Sequence, residues 1–146
     1  MAGKEDLKAI SSFIYSKARG SKDIPGDTHA IGSVLMNRAT AFGDLGQAIQ
    51  SMEPDQKNFG DAMTGNLKGK DLSNYKKIIQ HSSKLLRGSV DETGGAMHVF
   101  SKETSPSAKL MKESGLQKTH ATKNFNFYRQ SASPAVKTTG RVQKLS

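Results

Sequence analysis

The chain has 146 residues, no cysteine, no tryptophan, 34% hydrophobic residues and a formal charge of +9 at pH 7. That length supports one domain around a modest core, and the missing cysteines exclude disulfides, zinc–thiolate sites and thiol nucleophiles. The charge is uneven: residues 1–101 carry 13 Lys and Arg against 11 Asp and Glu, and residues 102–146 carry 9 against 2. The last third therefore suits nucleic acid, anionic lipid or wall polymer, or an acidic protein partner, unless it is only a solvated surface.

Residues 4–19 predict a helix, with Leu7, Ile10, Ile14 and Ala18 at helical spacing and Phe13 widening the stripe. Glu5 and Asp6 suit its first turn and Gly20 its end. A second helix is predicted to start near Asp23–Asp27, with Pro25 in its first turn and Ile31, Val34, Leu35 and Arg38 on one side. Gly32 in that helix reads as a point of close approach between helices. A short helix is predicted around Leu45, Ala48 and Ile49, followed by a long irregular loop over residues 51–70, polar and rich in Gly, Asn, Asp and Lys. The clearest helix is 71–87, with Leu72, Tyr75, Ile78, Ile79 and Leu85 or Leu86 as its stripe, Asp71 as its cap and Gly88 as its stop. After Gly94-Gly95, residues 96–100 predict a strand or extended segment, 106–114 a short helix and 124–129 a second extended segment. From Gln130 onward the composition is that of a polar tail. The division is thus a domain over 1–129 and a basic tail over 130–146. No run of 18 apolar residues is present, so no membrane-spanning helix is expected.

Three ordered elements carry a family resemblance. Tyr15-Ser16-Lys17-Ala18-Arg19-Gly20 with Ala30 to Arg38, ending Asn37-Arg38, resembles the opening Y-x-E-A-R-G and A-x-x-x-V-x-x-N-R of the SleB-type cell-wall hydrolases. Gly88 to Ala96, with Asp91, Thr93, Gly94 and Gly95, resembles the family's G-x-x-D-x-T-G-G-A. Thr122 to Tyr128 resembles I-G-x-H-x-F-Y, with Phe125 where the histidine is expected. The resemblance implies a mainly α, lysozyme-like (α+β) single domain with a small extended or β element. It implies the glycan strands of peptidoglycan as partner, a lytic transglycosylase type of reaction, and no cofactor. It also puts the catalytic glutamate at Lys17.

Glycosidic cleavage needs a proton donor on the leaving oxygen, usually a carboxylic acid held protonated by a raised pKa. Lysine, with a reference pKa of about 10.4, is a cation at neutral pH. It is a poor donor, and its charge opposes the positive charge that grows on the sugar ring. Asp6 lies eleven residues earlier on the same helix, about 16 Å away. Asp23, Asp27 and Asp61 read as caps or surface charges, which leaves Glu103, just after the strand-like segment, as the surrogate acid to test. Tyr15, Arg19, Asn37, Arg38, His98, Phe127 and Tyr128 are the substrate-binding candidates the resemblance supplies, with helix bracing or core packing as the competing reading. The histidines at 29, 81, 98 and 120 lack metal-ligand spacing, so no metal is expected.

The expectation is a peptidoglycan-hydrolase-like domain, impaired at Lys17, that binds glycan or serves as a structural part of a phage virion. The competing readings are an active lytic transglycosylase with a surrogate carboxylate, and a basic virion or nucleic-acid-associated protein that docks a protein partner through residues 130–146. The charged N-terminus has no apolar leader, which predicts cytoplasmic synthesis and delivery to the envelope by other machinery.

Overall fold

The computed structural model describes residues 3–88, 90–104 and 106–130. Apart from Gln130, the expected tail lies outside them. Six helices and a three-stranded sheet are present among the described residues: α1 (Lys4–Ala18), α2 (Ile24–Phe42), α3 (Leu45–Ser51), α4 (Gln56–Thr64), α5 (Gly69–Leu86), β1 (His98–Ser101), α6 (Ala108–Ser114), β2 (Leu116–Ala121) and β3 (Phe125–Gln130). The architecture is mainly helical, in one domain, as the sequence leads one to expect.

The core is organised by α1. Ile10 to Tyr15 are six consecutive buried residues, and Ala18 extends the run. A helix buried all round has neighbours on every side, and α1 packs against α2, α4 and α5, with α3 touching it as well. Ile10, Phe13 and Ile14 then meet Ile31, Val34 and Leu35 of α2 and Ile78 of α5 in one cluster. Each large side chain removed from water contributes about 1.5–3 kcal/mol. Of the two buried serines of this helix, Ser12 is met by a partner: its Oγ and the Tyr75 hydroxyl are 3.0 Å apart.

Local signals set the helix ends. Asp23, Asp44, Asp55 and Ser107 cap α2, α3, α4 and α6 by accepting a backbone N–H two or three residues on. The helix α5 starts at Gly69, so its cap position is Lys68, and Asp71 lies in the first turn, favouring the dipole rather than capping. Residues 51–70 are not one irregular loop. They contain α4, which buries only Ala62 fully and so shows little apolar stripe. The helix α2 runs to Phe42, beyond Arg38, and ends at left-handed Gly43.

The sheet order is β1-β3-β2, antiparallel throughout. Val99 pairs with Phe127 and His98 with Tyr128. The strand β2 was not anticipated: it is an edge strand whose residues are exposed or half-buried.

One carboxylate ties the sheet to the helices. Asp91 accepts from the Thr93 amide and hydroxyl, the Gly95 amide and Asn37 Nδ2 of α2. Asn37 Nδ2 also donates to the Ala96 carbonyl at 2.9 Å, and Arg38 Nε to the Met97 carbonyl at 2.6 Å. Gly94 and Gly95 both have positive φ, which a tight turn around this carboxylate requires. Burial alone raises the Asp91 pKa, but the bonds from Thr93, Asn37 and Gly95 outweigh it and hold the carboxyl below its ordinary value.

Two predictions follow from this packing. A Cβ on Gly32 would overlap Leu85 Cδ2 and stand 3.4 Å from Ile14 Cδ1. Overpacking costs about 1–3 kcal/mol and outweighs the helix-propensity gain over glycine of at most about 1 kcal/mol. Gly32→Val should therefore lower the urea midpoint, and an unchanged midpoint would contradict the close contact. Folding lowers the Asp91 pKa, so its contribution is complete above the unfolded value and is lost as pH falls through the folded one. Asp91→Asn should destabilise by about 1–3 kcal/mol at pH 7, and its gap to the parent protein should narrow below about pH 4.

Candidate functional site

A groove of about 630 Å³ opens where the end of α1 faces β1. Ser16 and Lys17 form one wall, Val99 to Ser101 the other, and Arg38, Met52 and His98 also line it. Glu53 and Asp55, from the connection between α3 and α4, add two exposed carboxylates.

Lys17 stands in the last turn of α1, where the helix dipole favours a cation. Its ammonium donates to the Glu53 carbonyl at 3.4 Å and lies 5.9 Å from the Phe13 ring centroid. Burial pushes its pKa below the ordinary lysine value; the Glu53 charge opposes that shift and the Arg38 charge adds to it.

Arg38 extends from α2 into the groove and donates to Ser51 Oγ at 2.9 Å and to His98 Nδ1 at 3.0 Å. A guanidinium has no acceptor, so His98 Nδ1 must accept, and the proton of the neutral ring sits on Nε2. Burial, then Arg38, lowers the His98 pKa from its ordinary value. The ring is therefore a neutral donor at pH 7.

Glu53 occupies an unusual backbone position. The helix α3 ends at Met52, and Glu53 follows with φ of 51°, the only non-glycine with positive φ among the described residues. That is the position after a helix C-cap where glycine is commonest, and a proline follows it here as often elsewhere. A non-glycine residue in this conformation is strained by about 1–2 kcal/mol, and such strain gathers at binding and catalytic sites.

The sequence candidates separate into four groups. Lys17, Arg38 and His98 meet in the groove. Arg19 and Glu103 line an adjoining hollow of about 380 Å³ on the far side of Lys17, and Arg19 is paired with Asp71 at 3.1 Å. Asn37 is spent on Asp91 and Ala96 and lines neither hollow. The three rings present no surface to the groove and are corrected to core residues. Tyr15 packs edge-on to Tyr75, Phe127 is fully buried against His120, and Tyr128 packs edge-on to Phe100. Tyr15 precedes Lys17 by two helical residues, about 200° around the axis, so the two cannot share a face. The aromatic side chains that do line the groove are Phe100 and Phe125. Sequence reasoning missed these two, together with Glu53 and Asp55. The one available signal for the carboxylates was their place beside Pro54 in a segment read as a loop.

Chemically the groove joins two cations, a neutral imidazole donor, two exposed carboxylates and small hydroxyls. Such a set can hold a polar, hydroxyl-rich chain. A half-buried carboxylic acid, the usual proton donor for glycosidic cleavage, is not among its lining residues. Among the described residues no three His, Asp or Glu side chains gather as a metal site, and no helix is long and apolar enough to cross a membrane.

No protein-family model matches the sequence, and no curated protein matches it either. Two solved structures do. The catalytic domain of the Bacillus cereus SleB protein superposes with a TM-score of 0.57 at 19% identity, over 87% of this chain and 91% of that one. The catalytic domain of the germination-specific lytic transglycosylase SleB from Bacillus anthracis gives 0.55 at 19% identity, over 86% and 95%. The likeness is one of fold: this chain has the mainly helical, lysozyme-like architecture of the SleB catalytic domains.

Proposed function

We propose that the chain is a peptidoglycan-hydrolase-like domain that holds glycan strands in the groove without cutting them. The observation that carries this reading is the Lys17 ammonium, set in the groove at the end of the buried helix. The sequence resemblance puts a glutamate there, acting first as acid and then as base in a lytic transglycosylase. A helix C-terminus and partial burial both raise a carboxyl pKa, so the position suits a protonated acid. Occupied by lysine, it offers a cation that opposes an oxocarbenium-like transition state.

The other carboxylates do not replace it. Glu53, Asp55 and Glu103 are exposed, and none has the apolar enclosure in which the catalytic acid of a glycosidase works. Glycan binding needs less: hydroxyl partners and a flat apolar surface, which Arg38, His98, Ser101 and Phe100 supply.

The decisive comparison is between this protein and Lys17→Glu on purified sacculi. The parent should pellet with sacculi and release no fragments, and Lys17→Glu should release anhydro-muropeptides. Release by the parent would overturn the reading and make Glu53→Gln the next variant, since Glu53 and not Glu103 shares the groove with Lys17. Failure of the parent to pellet would remove the groove from consideration.

Glu53→Gly separates function from stability. Glycine adopts the left-handed conformation without strain, so the thermal midpoint should hold or rise, while sacculus binding should weaken several-fold. A fall in the midpoint would contradict the strain argument.

A further inference from the structure

The groove does not end at Lys17. Lys17, Ser101 and Phe125 line both the main groove and the adjoining hollow, and Gly20 and Ser21 line both that hollow and a third, of about 560 Å³. The three adjoin in a row, a depression divided by those shared residues, from the α3–α4 connection to α5.

Its charge changes along its length. In the first part Lys17 and Arg38 face Glu53 and Asp55, a balanced set. Beyond Lys17 the lining holds Arg19, Lys102 and Lys123, then Lys22, Lys70 and Lys77, and the only carboxylate among the lining residues is Glu103. Arg19 is neutralised by Asp71. Lys22, Lys70 and Lys77 form no ion pair among the described residues. On α5, Lys70, Asn74, Lys77 and His81 recur at steps of four, three and four residues, one face of the helix. That stripe runs about 16 Å. Lysines on flexible stems, unpaired and repeated along a trough, match a ligand that carries repeated point charges rather than a single planar carboxylate.

We propose that this cationic half of the depression binds the phosphodiesters of an anionic wall polymer built from polyol phosphate units. The choice of polymer rests on the glycan reading above; the phosphate chemistry rests on the lining alone. Single-stranded nucleic acid also carries phosphodiesters, but it is held by rings on which bases stack. The third hollow is lined by no Phe, Tyr or Trp, its one ring being the small imidazole of His81, and the second has only Phe125, which is 8% exposed. A polyol phosphate needs charges and hydroxyl partners, and Asn74 stands between Lys70 and Lys77 to serve its hydroxyls.

The test uses the full chain and a fluorescently labelled glycerol phosphate hexamer, read by anisotropy across a salt series. Residues 131–146 add three further cations, so the readout is the change caused by α5 variants and not the parent affinity. Lys70→Gln/Lys77→Gln should raise Kd at least about tenfold and reduce the salt slope by about one to two, roughly one per lost phosphate contact. Lys8→Gln/Lys112→Gln, exposed positions outside all three hollows, should change Kd less than twofold, and circular dichroism should show both variants folded.

An α5 double variant that binds like the parent overturns the proposal. So does a single-stranded DNA of equal charge that binds as tightly and loses as much in the variant. Sacculi stripped of phosphate polymers by hydrofluoric acid distinguish the two readings. Parent and double variant should pellet with them equally, since the glycan half is untouched. If neither pellets while hexamer binding still depends on α5, the glycan reading fails and the phosphate site stands.

Discussion

Everything in this fold leans on the burial of α1. Six consecutive buried residues from Ile10 to Tyr15 leave that helix no solvent face along its middle. The other helices are therefore arranged by what α1 needs covered, and α2, α4 and α5 each take a side. A helix enclosed in this way cannot turn about its axis without exposing Phe13 or Ile14, so its last turn is fixed in space. Lys17 inherits that fixity. A side chain on a loop would wander, whereas this ammonium is delivered to one place in the groove by the whole core behind it.

The opposite wall is fixed by a different means. Phe125 and Phe127 join the sheet to the common core, and a polar attachment orients it: Asn37 and Arg38, adjacent in sequence, reach Asp91, Ala96, Met97 and His98. Hydrogen bonds are directional, so this attachment sets the height of β1 above α2 more sharply than packing would. The same Arg38 that holds the Met97 carbonyl also decides which nitrogen of His98 carries its proton. Structure and site chemistry are thus set by one guanidinium, and neither role is visible from the other.

How far the sequence reveals this depends on the kind of signal. The helices α1, α2 and α5 are legible because each repeats apolar residues at helical spacing and stops at or just before a glycine. The helix α4 is hidden because it covers α1 with little more than Ala62, though Asp55 and Gly65 mark its ends. The strand β2 is hidden because an edge strand with no fully buried residue has no alternation to read. Lys17, Arg38 and His98 are legible as motif positions. Glu53 and Asp55 reach the groove only because α3 and α4 fold back, which no spacing encodes. The rings of Tyr15, Phe127 and Tyr128 mislead for a simpler reason: aromatic residues suit a sugar-binding wall and a core equally well, and only the faces of α1 and β3 decide between them.

The sheet also bears on how copies of the molecule meet. With β3 in the middle, β1 and β2 are the edges of the sheet among the described residues, and an open edge invites strands from other chains. On β2 the pairing with β3 shifts register between Lys118 and His120, and Thr119 turns aside to donate its hydroxyl to the Thr93 carbonyl. A strand kinked at its midpoint and carrying a lysine beside the kink offers a neighbour no straight row of amides to zip onto. At the β2 edge, crowded copies of this protein should therefore resist the edge-to-edge stacking that leads small sheets into fibrils.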